Sequence, residues 1–171
     1  KKTLSSDYFV IPKKAALATD VALNEQKIIG SPEKKDCSLY VSIPFCPTRC
    51  SYCSFVSHSV DKAKKLIPQY VSLLCKELEI TAKIAKQNNL RLETVYIGGG
   101  TPTVLSPSLI TRLCTDIKRY FNLSSDTEWT IEANPGTLTD EKINSMLEGG
   151  INRISVGVQS FNDEELKVIG R

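Results

Sequence analysis

The stretch I43-P-F-C-P-T-R-C-S-Y-C-S-F55 places three cysteines, Cys46, Cys50 and Cys53, in the spacing C-x3-C-x2-C. Clustered thiolates select soft metals, namely zinc, copper(I) or an iron–sulfur cluster. A structural zinc ion takes four protein ligands, whereas three cysteines around a four-iron cluster leave one iron open to a small molecule. The stretch therefore predicts a metal centre with three thiolate ligands and one open position.

Zinc is the second interpretation of the same stretch. His58, the single histidine, lies five residues after Cys53 and would complete a set of three cysteines and one histidine. Zinc ligands usually come from two separated pairs, however, and these three cysteines form one group. The spacing therefore favours the iron–sulfur cluster.

Composition indicates a globular protein of a reducing compartment. The 171 residues include 41% hydrophobic and 24% charged residues, the ordinary globular range. A net charge of +3, carried by scattered basic residues, does not indicate nucleic-acid binding. The sequence shows no apolar run near the ~18 residues of a membrane span, and no signal peptide. Six cysteines without an export signal predict a cytoplasmic location.

Outside the cysteine stretch, strand-like and helix-like segments alternate. Residues 1–36 are expected to form an N-terminal extension, with a helix over about 13–27 and a linker over 30–36. Strands are predicted at 38–44, 93–98, 128–133 and 153–157, and helices at 61–89, 106–121, 139–148 and 162–169. Cys75 and Cys114 lie among leucines on these helices and are expected in the core.

Four successive strand–helix units predict an α/β fold with a parallel sheet. Each predicted strand ends in a loop rich in cysteine, glycine, asparagine or glutamine, which is where βα barrels carry their chemistry. Four units are too few to close a barrel. Residues 37–171 are therefore expected to be the N-terminal part of a barrel, and the chain a fragment; a complete four-stranded open sheet is the alternative.

Five further segments extend the pattern of the cysteine loop. They are L-Y-V-S-I-P-F-C (39–46), G-G-G-T-P-T (98–103), T-I-E-A-N-P (130–135), G-V-Q-S-F-N (157–162) and I-G-R (169–171). Together with the cysteine spacing, they resemble the radical S-adenosylmethionine (SAM) superfamily, and within it the oxygen-independent coproporphyrinogen III oxidase-like branch. The resemblance covers about residues 38–171 and implies a partial (β/α)6 radical SAM TIM-like barrel.

The resemblance also implies the cofactors and their ligands. Cys46, Cys50 and Cys53 are expected to hold a 4Fe-4S cluster whose open iron is chelated by SAM. In such enzymes one electron cleaves SAM and yields a 5′-deoxyadenosyl radical, which abstracts hydrogen. The positions that match SAM-contacting residues are Tyr40, Gly98, Gly99, Gly100, Thr101, Glu132, Gln159 and Arg171.

By the same resemblance, we expect a radical SAM oxidoreductase of haem biosynthesis. It would convert coproporphyrinogen III to protoporphyrinogen IX by oxidative decarboxylation, with an electron donor such as flavodoxin or ferredoxin. The alternative is a haem chaperone of the same branch, which binds haem without oxidase activity. Phe55 stands where the best-studied oxidases carry a fourth cysteine, and Ser42 where the branch commonly has histidine. The cysteine loop and the N-terminal extension look most like the coproporphyrinogen dehydrogenase subgroup, but the motifs leave both functions open.

Overall fold

The computed structural model describes residues 1–30 and 35–171, which fall into two compact units, Lys1–Lys34 and Lys35–Arg171. The first unit contains α1 (Lys2–Ser6) and α2 (Pro12–Ile29). Pro12 suits the first turn of α2 because the first N–H groups of a helix have no partner within it. Gly30 ends the helix at a positive φ of 69°. The helix expected over 13–27 is present and slightly longer.

The second unit begins earlier than the predicted linker allowed. Residues 31–34 of that linker lie outside the described residues. Asp36 already belongs to the first strand, β1 (Asp36–Ile43), and its carboxylate accepts a hydrogen bond from Arg91 at 2.8 Å. Asp36, the last residue of the predicted linker, thus belongs to the first strand and pairs with Arg91 across the sheet. Cys37, expected just before the strand, lies within it.

Parallel pairing organises the second unit. The strands in the part of the chain that the structure describes are β1, β2 (Phe45–Cys46), β3 (His58–Ser59), β4 (Arg91–Gly99), β5 (Glu128–Ala133) and β6 (Arg153–Val156). Within these residues, β1, β4, β5 and β6 form one parallel sheet in that order, and β2 pairs with β3 separately. The predicted α/β fold with a parallel sheet is confirmed.

Helices cover one face of this sheet. Those of the second unit are α3 (Val60–Ala63), α4 (Ile67–Gln87), α5 (Pro107–Tyr120), α6 (Asp140–Gly149) and α7 (Asp163–Val168), in the described residues. Alternate strand residues such as Val41, Ile97 and Ile131 are buried in a core that includes Leu74 and Leu113 from the helices. Burial of each such side chain stabilises the fold by about 1.5–3 kcal/mol. The opposite face of the sheet is left to polar side chains.

Side-chain caps fix where the helices start beside the sheet. Ser106 Oγ accepts the N–H of Leu109 at the start of α5, and Thr139 Oγ1 accepts the N–H of Lys142 at the start of α6. Gly150 ends α6 in the left-handed conformation, with φ of 91°. These caps fix the residues at which α5 and α6 begin and at which α6 ends.

The leucine and isoleucine residues of α4 do not all face the core. Leu74 and Leu78 are buried, but Leu73 and Ile80 are 56% and 59% exposed. Leu73 and Ile80 are seven residues apart and therefore lie on the same side of the helix, which is not the side that faces the sheet. No helix in the described ranges has the length and apolar character needed to cross a membrane.

Candidate active site

One cavity of about 240 Å³, here called the thiol cavity, is lined by residues at the carboxyl ends of β4, β5 and β6 and by the loops beside them. Among the predicted site residues, those that line it are Cys46, Cys50, Cys53, Gly99, Gly100, Thr101, Glu132, Gln159 and Arg171. Tyr40 and Gly98 do not line it. In residues 1–30 and 35–171, no three His, Cys, Asp or Glu side chains are arranged to hold a metal ion as they stand.

The thiol loop, residues 46–57, starts in the short strand β2 that follows β1 and ends just before β3. Its shape is held from within, because Arg49 Nη1 donates to the carbonyl oxygen of Phe55 at 3.0 Å and to Ser57 Oγ at 3.3 Å. A turn in which the N–H of Cys53 donates to the carbonyl of Cys50 at 3.1 Å places two of the thiols close together in the chain. Hydrogen bonds within the loop therefore restrain the backbone that carries the three thiols.

Helix α4 supports the start of this loop. The hydroxyl of Tyr70 donates to the carbonyl oxygen of Ser42 at 2.7 Å, and its ring meets Phe45 edge-on at 5.3 Å between centroids. Phe45 is 3% exposed, so the residue before the first thiol is anchored in the core. Burial raises the pKa of Tyr70 above its usual value, which keeps the hydroxyl a donor.

The glycine loop after β4 lies against the thiol loop. The N–H of Gly100 donates to the carbonyl of Ile43 at 2.9 Å, and that of Thr101 to Phe45 at 2.8 Å. A Cβ on Gly100 would lie 2.7 Å from the Phe45 oxygen and 2.9 Å from Cys46 Sγ, so a side chain does not fit there. Thr101 Oγ1 also approaches Cys46 Sγ at 3.6 Å. The glycine thus permits the close approach of the two loops.

Glu132 is held in place by two donors. Its Oε1 accepts the Tyr96 hydroxyl at 2.8 Å, and its Oε2 accepts the N–H of Gly99 at 3.2 Å. The hydrogen bond to Glu132, followed by burial, raises the pKa of Tyr96. Tyr40 stacks on Tyr96 with ring centroids 5.9 Å apart, and burial followed by the charge of Glu132 raises its pKa. Tyr40 is therefore placed behind the carboxylate, beside the cavity rather than on its wall.

The far wall of the cavity comes from the end of the described chain. Gln159 adopts a left-handed φ of 69°. Arg171 Nη1 lies 3.4 Å from the hydroxyl of Tyr52 on the thiol loop, and the N–H of Ser51 donates to the carbonyl of Ile169 at 3.0 Å. The I-G-R segment is thus bonded to the thiol loop.

The position of His58 bears on the zinc interpretation. His58 is exposed, pairs with Phe45 through the β2–β3 ladder, and does not line the thiol cavity. Its backbone N–H donates to the carbonyl of Pro44 at 2.8 Å, so the residue closes the base of the loop. It is not grouped with the three thiols.

Sequence reasoning missed several residues of the site. Tyr52, Asn134 and Ser155 line the cavity, and Tyr96 holds Glu132 from behind. A partial signal was present, because Tyr96 and Gly98 alternate on β4 and so share a face of the sheet. That Glu132 of β5 lies next to Tyr96 follows only from the register in which β4 and β5 pair.

Comparison with known proteins identifies the class. The radical SAM superfamily profile matches residues 40–171, and the chain belongs to this superfamily. The heme chaperone HemW of Buchnera aphidicola is 41% identical over 134 residues, 78% of this chain and 35% of that protein. The oxygen-independent coproporphyrinogen-III oxidase-like protein HemZ of Bacillus subtilis is 31% identical over 174 residues, 98% of this chain and 34% of that protein.

A solved structure agrees with these relatives. The Escherichia coli coproporphyrinogen III oxidase HemN, a radical SAM enzyme, superimposes with a TM-score of 0.70 at 31% identity, covering 84% of this chain and 32% of its own. The chain spans about a third of the length of these relatives. The expected branch of the superfamily is confirmed, and with it the 4Fe-4S cluster and SAM as cofactors.

The residues of the thiol cavity fit these cofactors. Three thiols of one loop share a cavity with a fixed carboxylate, Glu132, and with the cationic Arg171. Thiolates are the protein ligands of iron–sulfur clusters. SAM carries an ammonium, a sulfonium and a carboxylate, so a site with both signs of charge matches its chemistry.

Proposed function

We propose that Cys46, Cys50 and Cys53 bind the 4Fe-4S cluster and that the adjoining wall of the thiol cavity binds SAM. The observation that carries this proposal is the shared cavity of the three thiols and the hydrogen-bonded Glu132. When bound, the cluster supplies the electron that cleaves SAM to a 5′-deoxyadenosyl radical. The protein's part is to bind, orient and shield these groups.

Each wall of the cavity has its own task in this proposal. Glu132, fixed by Gly99 and Tyr96, offers a negative charge to the ammonium group of SAM. The backbone of Gly98–Thr101 lies close to the first thiol and so borders both cofactors. Arg171 and Gln159 offer a cation and an amide to the carboxylate or the sugar hydroxyls of SAM.

For the whole protein, we infer oxygen-independent oxidative decarboxylation of coproporphyrinogen III to protoporphyrinogen IX. Each of two propionate side chains would give one hydrogen atom to the radical and then lose carbon dioxide, leaving a vinyl group; the one electron released would pass to a one-electron acceptor. The HemZ alignment supports this inference because it includes the N-terminal unit, whereas the HemW alignment is limited to 78% of the chain. An electron donor such as flavodoxin or ferredoxin would reduce the cluster.

A haem chaperone is the second candidate. It is supported by the higher identity of HemW over the shared part of the chain and by Phe55, which lines the thiol cavity where the best-studied oxidases carry a fourth cysteine. In that case the cavity would hold the same cofactors, and the tetrapyrrole would be haem, bound without decarboxylation.

The test uses the full-length protein, reconstituted with iron and sulfide in the absence of oxygen. SAM, a reductant and coproporphyrinogen III are added, and the products are measured by mass spectrometry. 5′-Deoxyadenosine together with protoporphyrinogen IX would support the oxidase. Deoxyadenosine without protoporphyrinogen, with stoichiometric haem binding in a parallel titration, would favour the chaperone. Absence of both a cluster and deoxyadenosine would overturn the radical SAM assignment of this cavity.

A further inference from the structure

Lys142, on the first turn of α6, bridges two loops that belong to different strands. Its Nζ donates to the carbonyl oxygen of Thr103 at 2.6 Å and to that of Thr137 at 2.8 Å. Thr103 lies in the 3-10 turn Pro102–Val104 after β4, and Thr137 in the turn Pro135–Thr137 after β5. One half-buried ammonium group therefore ties together the loops at the ends of two neighbouring strands.

The side chains of the same two turns are also bonded to each other. The hydroxyl groups of Thr103 and Thr137 lie 2.5 Å apart, and Thr103 Oγ1 accepts the N–H of Asn134 at 3.2 Å. Thr103 is fully buried, so its hydroxyl depends on these partners within the protein. The network has little freedom because Thr137 Oγ1 also lies 2.9 Å from the carbonyl of Asn134.

These two loops carry different parts of the thiol cavity. The β4 loop supplies Gly99 and Thr101, while β5 and its loop supply Glu132 and Asn134. Within the cavity, the N–H of Gly99 donates to Glu132 Oε2 across the two strands at 3.2 Å. Lys142 itself does not line the cavity. By holding the turns that follow β4 and β5 together, Lys142 therefore affects the distance between the glycine loop and the carboxylate of Glu132.

The thiol side of the glycine loop has separate anchors. Gly100 and Thr101 donate their N–H groups to the carbonyls of Ile43 and Phe45, independently of Lys142. Loss of the Lys142 bridge should therefore loosen the glycine loop toward β5 and leave its contact with the thiol loop intact.

We propose that Lys142 is a positioning residue for SAM, which fixes the spacing between the glycine loop and Glu132 without touching the cofactor. This inference rests on the proposed SAM site. Charged hydrogen bonds are worth more than neutral ones, so losing the two that Lys142 donates should change the geometry of both loops. A lysine can bridge two carbonyls with one compact ammonium group, and an arginine can do the same with its fork.

The test compares Lys142→Met with wild type in the full-length, reconstituted protein. We expect iron and sulfide content to stay unchanged and the dissociation constant of SAM, measured by equilibrium dialysis, to rise about tenfold. Lys142→Arg should recover most of the affinity. Lys118→Met is the matched control, because Lys118 Nζ donates to the carbonyl of Glu148 at 3.2 Å, far along α6 from the two turns. Wild-type affinity in Lys142→Met would overturn the proposal.

A second measurement separates this inference from the proposed function. Hydrogen–deuterium exchange on the cofactor-free protein should show faster exchange at the amides of Asn134 and Thr137 in Lys142→Met, and not in Lys118→Met. If the wild-type protein binds no SAM, the proposed site fails, and unchanged exchange would independently overturn the bridging role. Should Lys142→Met not fold, Lys142→Gln replaces it, with a smaller expected loss of SAM affinity; wild-type affinity in that variant would equally count against the bridge.

Discussion

The backbone N–H of Ser51 donates a hydrogen bond of 3.0 Å to the carbonyl oxygen of Ile169, although the two residues are far apart in sequence. Ser51 lies between two of the predicted cluster ligands, and Ile169 opens the I-G-R segment. The bond therefore couples the conformation of the thiol loop to the segment that follows α7. This long-range hydrogen bond restrains the backbone of the loop that carries the three thiols.

Gly170→Ala should weaken this coupling. Gly170 has a φ of 77°, and a Cβ there would lie 3.1 Å from the carbonyl oxygen of Arg49 on the thiol loop. A side chain in the left-handed region costs about 1–2 kcal/mol, so the free energy of unfolding should fall by that amount in urea titrations. The Ser51 amide should also exchange faster with deuterium.

The control for this variant is Gly136→Ala. Gly136 has no positive φ, and the nearest atom to its Cβ would be Asn134 Oδ1 at an ordinary 3.6 Å. Its unfolding free energy should change by less than about 0.5 kcal/mol. Equal losses in the two variants would show that the I-G-R contact does not constrain the loop.

Cys50→Ala should abolish the cluster, while Cys75→Ala should retain it. Cys50 lines the thiol cavity, whereas Cys75 is 4% exposed within α4 and burial raises its pKa to about 12. Removing one of three thiolate ligands leaves too few to hold a four-iron cluster. Iron and acid-labile sulfide per chain, measured after anaerobic reconstitution, check the expectation. Equal cluster loss in both variants would mean that the ligands are assigned wrongly; zinc at one per chain without sulfide would support the zinc interpretation.

The parallel sheet could be predicted from the sequence because its signals are local. β-Branched strands, the Ser106 and Thr139 caps and the Gly150 stop each depend on a few neighbouring residues. The thiols could be proposed as site residues from their spacing, and Glu132 from the resemblance of its segment to a SAM-contacting motif. Parallel strands bring such residues to one edge of the sheet.

What could not be predicted depends on register and on long-range contacts. The stacking of Tyr40 on Tyr96 could not be read from the sequence, because it depends on the register that pairs these two residues across β1 and β4. Lys142 reads as an ordinary surface lysine of a helix, and only the positions of two distant carbonyls give it a partner. The exposed side of α4 likewise depends on which stripe of the helix meets the sheet.

Glu132→Gln should weaken SAM binding without loss of the cluster. The amide keeps the size of the side chain and can still accept one hydrogen bond, but it removes the charge that Gly99 and Tyr96 hold in place. A charged hydrogen bond is worth about 1.5–3 kcal/mol, so the dissociation constant of SAM should rise at least about tenfold. Isothermal titration of the reconstituted protein measures it, with iron content as the internal check.

Glu128→Gln is the matched control, because Glu128 lies four residues before Glu132 on the same strand face. Its Oε1 accepts a hydrogen bond from Arg153 Nη1 at 2.8 Å. Its side chain is half exposed and does not line the thiol cavity. Its substitution should leave SAM affinity within about twofold of wild type, since exposed ion pairs contribute little. A comparable loss in both variants would point to a general charge effect and contradict the role of Glu132.

Stability should fall as pH rises above 9, in part because of Cys114. Burial raises the pKa of this thiol to about 12, from an ordinary value of 9.0 that the unfolded chain would show. Below pH 9 both states are protonated and the thiol has no effect on the pH dependence. Between pH 9 and 12 the thiol loses its proton only in the unfolded state, so unfolding releases a proton. The free energy of unfolding therefore declines with rising pH, by up to about 1.4 kcal/mol per pH unit for this one group.

Cys114→Ala isolates this contribution from that of other groups. Urea titrations at pH 8, 9, 10 and 11, under reducing conditions, should show a steeper decline for wild type than for the variant. At pH 8 the variant should be less stable than wild type, because removal of the sulfur leaves a small void beside Gly149. Cys114 Sγ packs so closely there that a Cβ built on Gly149 would lie 2.8 Å from it. The gap between the two proteins should therefore narrow above pH 9. Parallel curves from pH 8 to 11 would mean that the thiol ionises as readily in the folded protein as in the unfolded chain, and would contradict the prediction.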